Sequence, residues 1–151
     1  MDNTHPTTAR FVGEFSFGMD AKKRITIPAP WRLTEADAFY FMADRSGRCL
    51  EALPPEEFHR VGQQIAALEH LTQRERRDAK RDWYSGATEL VADKQGRMVL
   101  PEPLCVKAGL TDALVFVGVD STFEIWSPTA REDKRPSDNS ALDRALEMIG
   151  R

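Results

Sequence analysis

The 151-residue sequence predicts an α+β protein, mainly β, built as two tandem copies of one unit with a helical stretch between them. Three observations carry this. The stretch DAKKRITIP, beginning at Asp20, recurs as DKQGRMVLP, beginning at Asp93. A gapless shift of 73 positions aligns Gly13 with Gly86, Arg24 with Arg97, Pro28 with Pro101, Pro30 with Pro103, Glu51 with Glu124 and Pro55 with Pro128. Short alternating apolar runs flank both copies, and helical periodicity is confined to the segment between them and to the end of the chain.

In FVGEFSFGMD, Phe11, Phe15 and Phe17 occupy alternate positions, and Ile25 and Ile27 flank Thr26, so each run has one apolar face and reads as a strand. The shift also matches Phe17 with Leu90, Ile25 with Met98 and Ile27 with Leu100. A Pro-x-Pro follows in each copy, PAPWRL and PEPLCV. Proline suits the first turn of a helix, where its missing N–H is not needed, so each half is expected to enter a short helix there, with Gly109 stopping the second. Two hairpins follow. Residues 38–53 turn at Ser46-Gly47, and the runs 113–119 and 122–126 turn through Gly118, Asp120 and Ser121.

Between the halves, Phe58, Val61, Ile65, Leu68 and Leu71 fall on one helical face, and Thr72 with Glu75 matches a capping box opening a second helix toward Trp83 and Tyr84. The expected divisions are a flexible N-terminus at 1–10, a first half at 11–56, a helical linker at 57–83, a second half at 84–130, and a loose polar segment with a terminal helix at 131–151 carrying Leu142, Ala145, Leu146 and Ile149.

At 41% hydrophobic residues the chain can bury a substantial core and reads as soluble and globular. It contains no apolar run long enough to span a membrane, and its start, MDNTHPTTAR, lacks the pattern of a secretory signal, which points to the cytoplasm. Cys49 and Cys105 lack metal-ligand spacing and read as small buried residues; no metal or cofactor is expected. His5, His59 and His70 stand near no nucleophile–acid arrangement, and no phosphate loop or HExxH motif occurs, so no catalytic residue is assigned. The net charge of −3 argues against bulk attraction to nucleic acid, but local patches remain: Lys22-Lys23-Arg24, and residues 74–81, with five basic side chains against two acidic. The latter alternates signs as a solvated helical face does. Trp31, Trp83 and Trp126 stand in apolar contexts and read as core or subunit interface.

In Asp-x-x-x-Arg, the carboxylate can accept backbone N–H groups a few residues on, so Asp20 and Asp93 read as turn-structuring, and Gly96 supplies positive φ. Arg24 and Arg97 leave two readings open: a bidentate partner for a nearby carboxylate, even one from the other half, or a donor fork for phosphates and guanine edges. Lys22 and Lys23 favour a phosphate anchor for the first turn, whereas the second offers Lys94 and Arg97.

The paired motifs, their fixed separation and the stretch VFVGVDSTFEIWSP together resemble the MraZ family of bacterial transcriptional regulators, whose halves are AbrB-like swapped-hairpin units. The resemblance spans residues 11–128. It implies two interlocked half-barrels forming a pseudo-dimer within one chain, and a homo-oligomer closed into a ring. It further implies a nucleoid-associated DNA-binding protein whose first-half turns meet direct repeats in double-stranded DNA upstream of a cell-division and cell-wall gene cluster, typically as a repressor. Lys22 and Arg24 match positions the family uses at DNA, and Asp20 the position that shapes the turn. Lys23 departs from the family's usual glycine, which implies a different φ in the first turn and an added charge. Val12 departs from a frequent arginine, which removes one implied DNA contact. A ring of weak sites matched to repeated DNA sites gains from effective concentration without a basic protein overall. Two other readings compete: a DNA-indifferent oligomeric scaffold, in which Arg24 and Arg97 bridge subunits, and an antitoxin-like AbrB regulator, which the tandem repeat disfavours because such proteins carry one copy and dimerise.

Overall fold

The computed structural model describes residues 11–136 and 140–151, so the expected flexible N-terminus at 1–10 lies outside the described residues. Eight strands form in chain order: β1 (Glu14–Gly18), β2 (Arg24–Thr26), β3 (Ala38–Ala43), β4 (Cys49–Leu53), β5 (Thr88–Val91), β6 (Arg97–Val99), β7 (Ala113–Gly118) and β8 (Phe123–Trp126). Helices α1 (Pro55–Ala66) and α2 (Gln73–Ser85) lie between the halves; α3 (Glu102–Ala108), α4 (Pro128–Asp133) and α5 (Ala141–Met148) follow. The protein is thus α+β and mainly β.

An antiparallel six-stranded sheet has the order β1-β7-β8-β4-β3-β5, and β2 pairs with β6 in a separate two-stranded ribbon. The order is palindromic under the repeat, because β1 corresponds to β5, β3 to β7 and β4 to β8. Each half gives its first strand to the other half's hairpin: β1 pairs with β7, and β5 with β3. Two cross-strand pairs join a residue to its own repeat counterpart, Ile25 with Met98 and Glu51 with Glu124, so a pseudo-two-fold passes through both. This is the swapped-hairpin arrangement. The sheet stays open at β1 and β5, so the interlocked halves leave two edges rather than a closed barrel.

The gapless shift of 73 holds at both ends of the unit and fails in its middle. Met19 N–H donates to Asp112 O at 2.7 Å and the equivalent Ala92 N–H to Asp37 O at 2.8 Å, so these aspartates are equivalent although 75 positions apart. The two additional residues accompany a full helix, α3, where the first half has a single 3-10 turn, Ala29–Trp31; a shorter second hairpin restores register by Glu124. The first Pro-x-Pro therefore starts the expected short helix as a single 3-10 turn, and Gly109 caps α3 with φ +65° as expected.

Phe11, Trp31, Phe39, Phe41, Phe116 and Phe123 fill the core, with Phe123 within 5.2 Å of the Phe11, Trp31 and Phe39 ring centres. Phe17 departs from the expected apolar face and stays 41% exposed on the sheet's edge strand. Cys49 and Cys105 are buried and unbonded; burial pushes the Cys49 thiol up to about 12. Trp31 is core. Trp83 stacks on Phe58, and its Nε1 donates to Phe58 O at 3.1 Å; Trp126 Nε1 donates to Glu124.

Helix α1 ends at Ala66, sooner than its apolar period suggests, so Leu68 and Leu71 fall in the connection to α2 and Leu68 remains exposed. Both bonds of the Thr72–Glu75 capping box are made, and Arg76 donates to the carbonyls of Leu68 and Leu71. Part of the segment expected to be loose is tied down, since Glu14 on β1 accepts hydrogen bonds from Arg131 and Arg135, the first of these on α4.

Two tests follow from this packing. Gly118 ends β7 where a Cβ would lie 2.4 Å from Phe11 O, so Gly118→Ala is expected to cost roughly 1–3 kcal/mol in urea unfolding. At the pseudo-two-fold, burial and then the facing charge of Glu124 raise the Glu51 carboxyl above its ordinary 4.5. The folded state then holds this proton more tightly than the unfolded one, and stability falls as pH rises through that window. Glu51→Gln should raise the melting temperature at neutral pH, and the gain should vanish below pH 4.5.

Candidate nucleic-acid interface

Both charged turns are built from the same bonds. Asp20 Oδ1 accepts the N–H groups of Lys22 (2.9 Å) and Arg24 (2.8 Å), while Oδ2 accepts Arg24 Nε at 2.7 Å. Asp93 Oδ1 accepts the N–H groups of Gln95 and Arg97, both at 2.9 Å, and Oδ2 accepts Arg97 Nε, also at 2.9 Å. Backbone bonds from Asp20 N–H to Arg24 O and from Asp93 N–H to Arg97 O close the turns. The accepted backbone N–H groups, led by those of Arg24 and Arg97, hold both carboxyls below their ordinary value.

Each arginine finds its acid within its own turn, not across the halves. Engaging Nε fixes the guanidinium plane and leaves the terminal nitrogens at the outer end. Among the described residues the Arg24 terminal nitrogens make no hydrogen bond, whereas Arg97 Nη2 donates to Gln95 Oε1 at 3.1 Å. The first turn is therefore the freer donor.

Lys23 keeps the left-handed conformation of its counterpart: φ is +62° at Lys23 and +79° at Gly96. The expected change of φ does not occur. Lysine tolerates this region at a cost of about 1–2 kcal/mol, and the surrounding Asp20 bonds enforce it.

The ribbon register places both arginines on one face. Arg24 pairs with Val99 and Thr26 with Arg97, while Ile25 and Met98 between them are buried on the other side. Because the strands run antiparallel, the turns lie at opposite ends of this ribbon, so Lys22, Lys23 and Arg24 gather at one end and Lys94 and Arg97 at the other. Sequence reasoning missed Arg32, whose Nη1 donates to Gln95 O at 2.8 Å and whose chain lies across the second turn. Val12 is exposed, and its carbonyl accepts Trp31 Nε1.

The other candidates are engaged elsewhere only in part, since Arg74, Arg77 and Lys80 on α2 stay exposed. On α2, Arg81 pairs with Asp78 and Arg76 closes the linker. His59 packs against Phe58, Tyr40 and Tyr84. No group of His, Cys, Asp and Glu among the described residues is placed to hold a metal ion, and no described helix is long and apolar enough to cross a membrane.

The strained position gives a direct check. Lys23→Gly should leave unfolding stability within about 1 kcal/mol of the parent, since relief of strain offsets added chain freedom. Lys23→Val, β-branched at positive φ, should destabilise measurably in the same urea titration.

The family model described as "MraZ protein, putative antitoxin-like" matches residues 83–142. A protein of Lactobacillus johnsonii named "Transcriptional regulator MraZ" is 36% identical over 139 residues, covering 92% of this chain and 96% of that protein. Proteins of the same name from Ligilactobacillus salivarius and Clostridium tetani are 38% and 35% identical, each over 117 residues and 78% of this chain, covering 80% and 81% of their own lengths. With identity at this level over most of the chain and most of each relative, the chain belongs to the MraZ family.

Proposed function

We propose that this protein is a transcriptional regulator of the bacterial cytoplasm and nucleoid that binds double-stranded DNA in a sequence-specific manner. Lys22, Lys23 and Arg24 are its main contacts, and Lys94 and Arg97 its lesser ones. Asp20, Asp93 and Gly96 shape the turns that present them. The observation that carries the reading is the ribbon: two Asp-locked arginines share one outward face, at the ends of a strand pair whose other face is buried in the core. A fork held at Nε and open at its terminal nitrogens suits bidentate bonds to a guanine edge, and flanking lysines suit phosphates. The names of the relatives point to the same role.

In this reading the protein represses a cell-division and cell-wall gene cluster from direct repeats upstream of it, as a homo-oligomer closed into a ring. No chemical step or cofactor is involved. The scaffold reading draws less support, because it needed Arg24 and Arg97 to seek acids on neighbouring subunits and each already has one in its own turn.

The test is fluorescence-anisotropy binding to the duplex upstream of the protein's own gene and to a scrambled duplex, across a salt series. Preference for the native duplex, with log affinity falling linearly in log salt, is the expected result. Arg24→Ala should weaken specific binding by roughly 1–3 kcal/mol, and Arg97→Ala by less. Equal binding of both duplexes at every salt concentration would refute the reading.

A further inference from the structure

The two turns differ at their three inner positions, where Ala21, Lys22 and Lys23 stand against Lys94, Gln95 and Gly96. At the left-handed position the first turn has Lys23 and the second has Gly96. A second mismatch lies at Arg32, whose counterpart under the 73-residue shift is Cys105. The two mismatches touch. A Cβ built on Gly96 would lie 2.6 Å from Arg32 Cδ, 3.0 Å from Nε and 3.1 Å from Nη1, so the Arg32 chain occupies the space that a side chain at position 96 would need. At the first turn, Lys23 and Cys105 line one groove, and the Lys23 charge reaches the Cys105 thiol. One turn therefore pairs its own lysine with a small, buried neighbour from the other half. The other pairs its own glycine with a long cation from the other half.

On this basis we infer that Arg32 is the third cation of the second turn and donates to a DNA phosphate there, making the two turns charge-matched backbone anchors at opposite ends of one ribbon. This rests on the DNA-binding reading and goes beyond it, because the first-half residue Arg32 completes a site on the second half. The geometry is that of a held donor. Arg32 Nη1 is spent on Gln95 O at 2.8 Å, which fixes the guanidinium over Gln95 and Gly96, in the turn that carries Lys94 and Arg97, while among the described residues Nε and Nη2 donate to no protein acceptor. A guanidinium bound at one end to a carbonyl carries its full charge outward, since a carbonyl does not neutralise it as Asp20 does for Arg24. Both ends then anchor the backbone, and the first turn adds the base-reading fork of Arg24, whose terminal nitrogens make no hydrogen bond among the described residues.

The salt series separates this from a merely structural role for Arg32. For Arg32→Gln, the slope of log affinity against log salt is expected to shrink by about 0.9 for each chain engaged on the duplex, with preference for the native sequence retained. Arg32→Lys, which keeps the charge, should restore the parent slope. The double variant Arg32→Cys with Gly96→Lys moves the first turn's arrangement to the second and should also keep it. Melting temperatures measured alongside report folding. If Arg32→Gln and Arg32→Lys both bind with the parent slope, or both weaken binding without changing it, Arg32 only supports the turn and the inference is wrong. If Arg24→Ala loses specific binding while Arg32→Gln matches the parent, the DNA-binding reading survives and this inference alone falls. Absence of DNA binding by the parent protein would overturn both.

Discussion

The pairing of β2 with β6 is the constraint on which the rest of the structure depends. Neither half can satisfy the backbone of its own three-residue strand, and the two strands find partners only in each other. Their buried residues, Ile25 and Met98, meet at the pseudo-two-fold, and the six-stranded sheet repeats that symmetry through Glu51 and Glu124. Exchange of β1 and β5 between the halves follows, because each charged turn must carry its chain from the outer strand of one hairpin into the shared ribbon.

From this arrangement the geometry of the candidate interface emerges with little further cost. Alternation along two short strands sends Ile25 and Met98 inward and Arg24 and Arg97 outward, so a single packing decision orients both arginines. The aspartates then fix the guanidinium planes and tie each turn to the start of its strand. A mildly acidic protein can in this way present local positive charge, since Lys22, Lys23, Arg24, Lys94 and Arg97 lie on two turns whose acids are Asp20 and Asp93.

Much of this was legible in the sequence because it is written in local chemistry. The Asp-x-x-x-Arg turns, the capping box at Thr72 and Glu75 and the stop at Gly109 each depend on residues within a few positions of one another. Features set by long-range contacts were not legible. The exposed edge at Phe17 depends on which strands β1 meets, and the helix end at Ala66 on the Arg76 bonds that close the linker. Two inserted residues before β7 were hidden because the shorter hairpin cancels them by Glu124. Lys23 suggested an altered turn because lysine disfavours positive φ, but the Asp20 bonds override that preference. Arg32 escaped notice because a mismatch with Cys105 carries meaning only once Gly96 is known to lie beneath it.

Hydrogen–deuterium exchange of the whole protein, free and bound to the duplex upstream of its own gene, tests the central claim most directly. The account predicts slowed exchange at 20–24 and 93–97, with helix α2 unchanged. Slowed exchange on α2 at residues 74–81, with both turns exchanging as in the free protein, would contradict it and move the nucleic-acid interface to the linker helices.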